Sequence, residues 1–474
     1  MPDGVVPLAA DFPPADGAAW LELARQSLGE RLVSTTPGGL SAHALYTADD
    51  ALPPAPGRLQ AGWDICTLVD HPDPAEANAQ ALEDLEHGAT SLVLKLDPSG
   101  RDGVAVASEE DLARALDGVL LDAAPVALDA GWLGPTAADW LARIAKAAPQ
   151  APLSFHLDPL SAFAETGASP GPAESWLFAA GLAARRHIGT YPLASLFLAS
   201  GRVVHEAGGS EAQELGFALA AALAYAKAAD GHGVEPAQAL PRIVLGLSAD
   251  AEPLLTIAKL KAARSVWARM AGAFGVDAPA RIEARSSRRM LARRGAHLNL
   301  ARLTAAAFGA TAGGADTVVL DPFTQPLGAP TDQARRLARN TQTILAEESD
   351  LARVADPAAG AWAVENLADQ IARAAWAFFQ AIEQAGGAVE ALRSGLVAEA
   401  IAAVRAAREA EIAAGRAAIV GVTAFADSQA TDAAAAPVDP APFAKPSPPA
   451  RLPGPDSRCP PLHPWRAAEP YEPQ

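Results

Sequence analysis

The chain has 474 residues, half of them hydrophobic, which is enough for one large domain with a substantial core or two smaller ones. Its formal net charge of −18 excludes nucleic acid and anionic membrane as main partners, because a negative field repels both. The two cysteines, Cys66 and Cys459, lie in different regions without zinc or redox spacing, which argues against a disulfide framework or a metal centre.

Met1-Pro2-Asp3-Gly4 has neither a basic n-region nor an apolar h-region, so no signal peptide is expected. Apolar stretches are broken by Asp, Arg or Gly before they reach membrane-spanning length. A cytoplasmic protein is expected. Residues 1–45 read as an N-terminal arm. Asp16 is placed to cap a helix carrying Trp20, Leu21, Leu23, Ala24 and Leu28 at helical spacing, and Gly38-Gly39 breaks the chain after it. Such a stripe must be buried against the chain's own body or against a partner subunit.

From about residue 61 to 322 the pattern alternates, within a barrel domain expected over 46–328. The expected strands are Trp63–Val69, Ser91–Leu96, Pro125–Leu128, Leu153–Leu157, Leu196–Ala199, Ile243–Leu247, Arg281–Ala284 and Thr317–Leu320. Ala-rich helical runs separate them, among them Pro74–His87, Glu109–Leu121, Ala137–Ala147, Ser210–Ala229, Pro253–Ala273 and Leu298–Phe308. Eight βα units imply right-handed crossovers and an α/β fold of the (β/α)8 TIM-barrel type. An open doubly wound sheet is the competitor, but no Gly-rich nucleotide turn supports it.

Several strands end in Asp70-His71, Asp97, Asp129, Asp158, Ser248 and Asp321, on the rim where such barrels carry function. An Asp there also serves as a helix cap or turn residue. His156 reads as a core or rim histidine with its hydrogen bonds met. His205-Glu206 fits either a structural hydrogen-bonding pair or a general acid/base pair. Arg281, Arg285, Arg288, Arg289, Arg293 and Arg294 form a basic run; it could grip phosphates or pair with carboxylates of this acidic chain or of a partner. His297 reads as exposed. No Ser/His/Asp set, Walker loop, Rossmann fingerprint or metal-ligand cluster is present.

Residues 329–420 read as a helical extension, with amphipathic runs Arg335–Glu348 and Ala363–Gln384 separated by Asp356-Pro357. Residues 421–474 form a Pro/Ala-rich linker and tail, and Cys459 to Trp465 read as an extended segment docking through its apolar groups.

Ser200-Gly201-Arg202-Val203-Val204-His205-Glu206-Ala207-Gly208 resembles the fifth-strand motif of the B12-dependent methylmalonyl-CoA mutases, Ser-Gly-Tyr-His-Met-Gln-Glu-Ala-Gly. Arg339-Asn340-Thr341-Gln342, Glu347-Glu348-Ser349 and Asp356-Pro357 resemble a second block of that family. Ile257 to Arg264 with Trp267-Ala268 is similar to its sixth helix. Gly62-Trp63-Asp64, His71-Pro72-Asp73-Pro74 and Glu83 to Leu92 are closer to the small (beta) subunit of its heterodimers.

In the family's catalytic subunit the motif's Tyr and His line the active site; Arg202 and Val203 stand there here. The seventh strand, Arg-Thr-His-Ser-Gln in the catalytic subunit, reads Arg281-Ile282-Glu283-Ala284-Arg285, so Glu283 and Arg285 replace a substrate-facing His and Gln. Residues two apart on a strand share a face, so both should point inward, where bare charges must be paired. A buried network of Glu283, Arg285 and Arg202 filling the axial channel is expected. The cobalt-ligating signature Asp-x-His-x-x-Gly has one near match, Asp230-Gly231-His232-Gly233-Val234-Glu235, which ends in Glu and reads as a surface turn.

The resemblance therefore implies a non-catalytic small subunit with no catalytic, cofactor-binding or metal residues of its own and no complete cobalamin-binding domain. It would support a large catalytic subunit that carries adenosylcobalamin and interconverts (R)-methylmalonyl-CoA and succinyl-CoA in propionate metabolism. The alternatives are a barrel subunit of another B12-dependent acyl-CoA mutase, an independent acyl-CoA-binding protein or enzyme, and a binding module without a mutase partner.

Overall fold

The computed structural model describes residues 16–427, 433–435, 438–446 and 454–472. A short antiparallel hairpin, β1 (Val33–Thr35) and β2 (Ser41–His43), comes first. Sequence reading took this stretch only as a break around Gly38-Gly39. Eight parallel strands follow: β3 (Asp64–Val69), β4 (Ser91–Lys95), β5 (Val126–Asp129), β6 (Ser154–Leu157), β7 (Ser195–Ser200), β8 (Ile243–Ala249), β9 (Arg281–Ser286) and β10 (Thr317–Val319). They close in chain order, with β10 pairing both β9 and β3. The (β/α)8 barrel expected from the sequence is the observed fold.

Strand alternation sorts the side chains into two environments. Leu92, Leu94, Val126, Leu128, Ile282, Ala284 and Val318 join the apolar layer against the helices. Cys66, Val93, Ala127 and Val319 meet one another inside the barrel, with Leu68 packed on them. The interior at this level is a packed layer of small side chains.

The helices have local causes. Asp73 caps Pro74–Glu86, with Pro at its first position. Ser210 and Gln213 form a capping box on Glu211–Asp230. The helix expected over Glu109–Leu121 ends at Ala115, because the chain turns through Gly118 at φ +76°. The run expected as one helix to Glu348 is α-helical over Asp332–Thr343 and widens to a π turn over Ile344–Glu348.

In the extension, Trp362–Gln384 lies on Glu211–Asp230 and Pro253–Ala273. The approach is close: a Cβ on Gly216 would sit 2.7 Å from the Ala375 carbonyl oxygen. The segments that carry the family resemblance are stitched to one another. Asp84 pairs with Arg339 and, at 2.8 Å, with Arg335; Lys261 meets Asp356 at 2.8 Å; Trp63 donates to Gln342 at 3.2 Å. These pairs hold the extension against the barrel.

The capped N-terminal helix, Gly17–Leu28, is where Asp16 predicts it, and it leaves Trp20, Leu21 and Leu23 exposed. Residues 1–15 of the expected arm lie outside the described residues. No described helix is long and apolar enough to cross a membrane.

Candidate functional site at the barrel mouth

The C-terminal ends of parallel strands form the rim on which barrels of this class carry function. Here the rim surrounds a charged funnel. Glu283 and Arg285 alternate with outward Ile282 and Ala284 on β9, and both are 2% exposed. Arg285 Nη2 lies 3.3 Å from Glu283 Oε1, and Nη1 donates to Asp129 Oδ2 at 3.0 Å. Burial alone would raise the Asp129 carboxyl, but Arg285, Lys95 and Arg202 outweigh it and hold that carboxyl well below its ordinary range. Burial likewise opposes the charge on Arg285, and Glu283 and Asp129 more than restore it.

The expected ion network therefore exists, with one correction. Arg202 makes no ion pair among the described residues; it stands half-buried on the short helix Arg202–Glu206, near Arg285 and Asp129 but bound to neither. Burial, and then the like charge of Arg285, lower its affinity for a proton. Val203 packs against the apolar layer. The partner that sequence reasoning did not assign is Asp129, which the rim pattern could identify only as a strand-end acid.

His156 is a second correction. It is buried but its Nδ1 has no hydrogen bond; it faces Glu283 Oε2 across 3.8 Å. Its backbone is left-handed at φ +44°, at a register irregularity of β6. Burial pushes its pKa down, with Glu283 opposing, so the ring is held toward its neutral form.

The other rim acids divide by role. Asp158 caps the helix Pro159–Thr166 and accepts from the Tyr225 hydroxyl at 2.5 Å; burial lifts its pKa to about 7. Asp97 folds a turn by accepting from Ser99, Arg101 and Asp102 backbone N–H groups. Asp321 takes Ser286 at 2.7 Å and Arg288 at 3.0 Å. The Ser248 backbone N–H donates to Glu214 Oε1 at 2.5 Å. Asp70 and His71 line a cleft of about 390 Å³ together with Arg101, Asp102, Arg288 and Asp321.

His205 is fully buried as a structural hydrogen bonder. Its ring nitrogens meet Ser287 at 2.9 Å, Glu214 at 3.1 Å and Asp250 at 3.4 Å. Glu206 accepts from the backbone N–H groups of Arg288 and Arg289 and so fixes the loop after β9. In the basic run, Arg285, Arg288 and Arg289 are paired within the chain, Arg289 with Asp250 at 2.8 Å and Glu211 at 3.4 Å. His297 is exposed, as expected.

These charges answer one another rather than standing free. The Arg285 guanidinium is spent on Glu283 and Asp129, so neither carboxylate is an uncommitted base. No group of three or more metal-ligating side chains occurs among the described residues. His232 follows the helix Glu211–Asp230 on the way into β8, at the end of the barrel opposite the mouth, with its ring edge-on to Phe178 at 4.4 Å.

The family model described as methylmalonyl-CoA mutase matches residues 55–446. The methylmalonyl-CoA mutase small subunit of Streptomyces virginiae is 42% identical over 458 residues, covering 90% of this chain and 73% of that protein. The small subunit of Propionibacterium freudenreichii subsp. shermanii is 35% identical over 77% of this chain and 56% of its own length. The large subunit from the same organism is 31% identical over 48% of this chain and 32% of its own. A barrel of this closure, ion-paired through the segments that carry the resemblance and matched over most of its length, belongs to the methylmalonyl-CoA mutase family, on its small-subunit side.

Proposed function

We propose that this chain is the non-catalytic subunit of an adenosylcobalamin-dependent methylmalonyl-CoA mutase, paired with a large subunit that interconverts (R)-methylmalonyl-CoA and succinyl-CoA. The observation that carries this reading is the Arg285 bridge between Glu283 and Asp129. It lies on the strand where the resemblance puts substrate-facing residues, and Arg285 is in register with Val319 of the packed interior formed with Cys66, Val93 and Ala127. A pantetheine arm threading the axis would have to break buried ion pairs and displace that layer, which is costly.

In this reading the cofactor belongs to the partner chain. His232 is the one histidine in a near-cobalamin signature, yet it packs on Phe178 at the wrong end of the barrel. Adenosylcobalamin is therefore assigned to the partner. The exposed Trp20, Leu21 and Leu23 face favours a partner chain, since an amphipathic helix gains stability by burying its stripe. In this reading residues 1–45 are an arm, 46–328 the barrel, 329–420 the extension and 421–474 the linker and tail. The two subunits would work together in the cytoplasm.

Co-expression with a large subunit, size-exclusion chromatography and mutase assays of each chain alone and together test this. Co-elution, with turnover only when the large subunit is present, is expected. Turnover by the lone chain supplied with adenosylcobalamin and methylmalonyl-CoA overturns it.

A further inference from the structure

The C-terminal segment follows an unusual path over the barrel. Ala433 packs against the apolar cluster that includes Leu291, Leu320 and Phe323. Val438 and Pro440 wall the cleft beside Asp70 and His71, above β3, and Phe443 meets the His71 ring edge-on at 6.4 Å. Lys445 then donates its backbone N–H to the Pro98 carbonyl at 2.7 Å and pairs with Asp111 at 3.0 Å, above β4.

The circuit continues on the far side. Cys459 donates its N–H to Gly167 at 3.0 Å and Leu462 to Ala164 at 2.8 Å, after β6. Trp465 donates to the Glu206 carbonyl at 2.7 Å, after β7. Ala467 donates to Arg289 at 3.0 Å, and Glu472 accepts from Arg293 and Arg294 backbone N–H groups, after β9. Residues 454–472 thus bond to the loops after β6, β7 and β9, which are far apart in sequence.

We infer that residues 454–472 act as a collar that locks the loops after β6, β7 and β9 of the barrel mouth into one rigid unit. Barrel enzymes admit and release ligands by moving such loops separately. A single segment tied to three of these loops makes each movement require detachment of the others, because their openings share one set of hydrogen bonds and buried side chains. The lock is a property of the mouth itself and stands whether or not the chain is catalytic.

Cys459 reports on the collar. Its thiol is 8% exposed, and its Sγ lies 3.3 Å from the Phe163 carbonyl oxygen. Burial raises its pKa to about 11, so it is unreactive while seated. Cys66, 1% exposed inside the barrel, reports on the core. In the full chain, Leu462→Asp places a charge where Leu462 is 3% exposed. Gly167→Ala attacks from the loop side, where φ is +67° and a Cβ would meet the Cys459 carbonyl oxygen at 3.0 Å. His463→Asp, at an exposed site, is the control.

Iodoacetamide labelling and hydrogen exchange are the measurements. Leu462→Asp should speed Cys459 labelling by about tenfold or more, the shift expected when a buried leucine loses its burial. Exchange in 201–209 and 287–295 should rise with it, while Cys66 stays protected and His463→Asp changes nothing. Rapid labelling of Cys459 in the unaltered chain overturns the lock, as does release of Cys459 with no change in loop exchange. Should Leu462→Asp also expose Cys66, and so have unfolded the barrel, Gly167→Ala decides by the same two readouts.

Discussion

Arg285 Nη1 donates to Asp129 Oδ2 at 3.0 Å, joining β9 to β5 across the barrel interior. In the closed ring these strands are opposite one another, so a single guanidinium spans the mouth. Removing it leaves Glu283 buried without its counter-charge. Arg285→Met should cost about 3–5 kcal/mol of unfolding free energy, the usual penalty for breaking a buried pair. Asp129→Asn should cost less, because that side chain is 32% exposed to the funnel. Urea denaturation of both variants and of the double variant measures the coupling, and strictly additive losses would contradict the bridge.

Lys259 and Glu214 are 1% and 0% exposed and meet at 2.5 Å. Lys259→Met should destabilise the chain by about 3–5 kcal/mol, since Glu214 is then left buried beside His205 without its ammonium. Replacing both partners with apolar side chains of similar volume should recover much of that loss. Thermal melts of the single and double variants compare them.

The pH dependence has two limbs of opposite sign. Asp158 has a folded pKa raised to about 7, so its stabilising contribution is full below about pH 4 and is lost as pH rises through 7. Glu214 has a folded pKa lowered to about 2, first against burial and then by Lys259 and His205, so its contribution is present above about pH 4.3 and lost as pH falls through 2. Asp158→Asn, which keeps the helix cap, should flatten the upper limb only. Glu214→Gln should flatten the lower limb only. Urea midpoints between about pH 3 and pH 8 read both slopes.

Gly201 of the motif has φ −92°, a conformation open to any residue. What demands glycine is proximity: a Cβ there would collide with the Glu214 backbone oxygen. Gly201→Ala should therefore destabilise by about 1–3 kcal/mol through forced backbone movement. Its denaturation midpoint, compared with Gly233→Ala at an open surface turn where φ is +77°, separates collision from backbone strain.

On the proposed subunit role, Leu21→Ser with Leu23→Ser should leave the unfolding free energy of the isolated chain unchanged within about 0.5 kcal/mol, since both side chains are already exposed. Association with the large subunit, read by size exclusion or calorimetry, should weaken. Unchanged association would remove the N-terminal helix from the interface.

The sequence by itself determined the barrel, because strand and helix periodicities are local and each βα unit announces itself within a few tens of residues. It also determined that Glu283 and Arg285 share a face, since a strand repeats every two residues. Helix starts at Asp16, Asp73 and Ser210 were legible for the same local reason. Only the tertiary structure decided that Arg285 reaches Asp129, 156 residues away, while Arg202 makes no ion pair among the described residues. It also decided that β6 turns His156 toward Glu283 and that residues 454–472 bridge the loops after β6, β7 and β9. Those relationships depend on ring closure, inter-strand register and the close approach of distant backbone, which no local pattern of residues encodes.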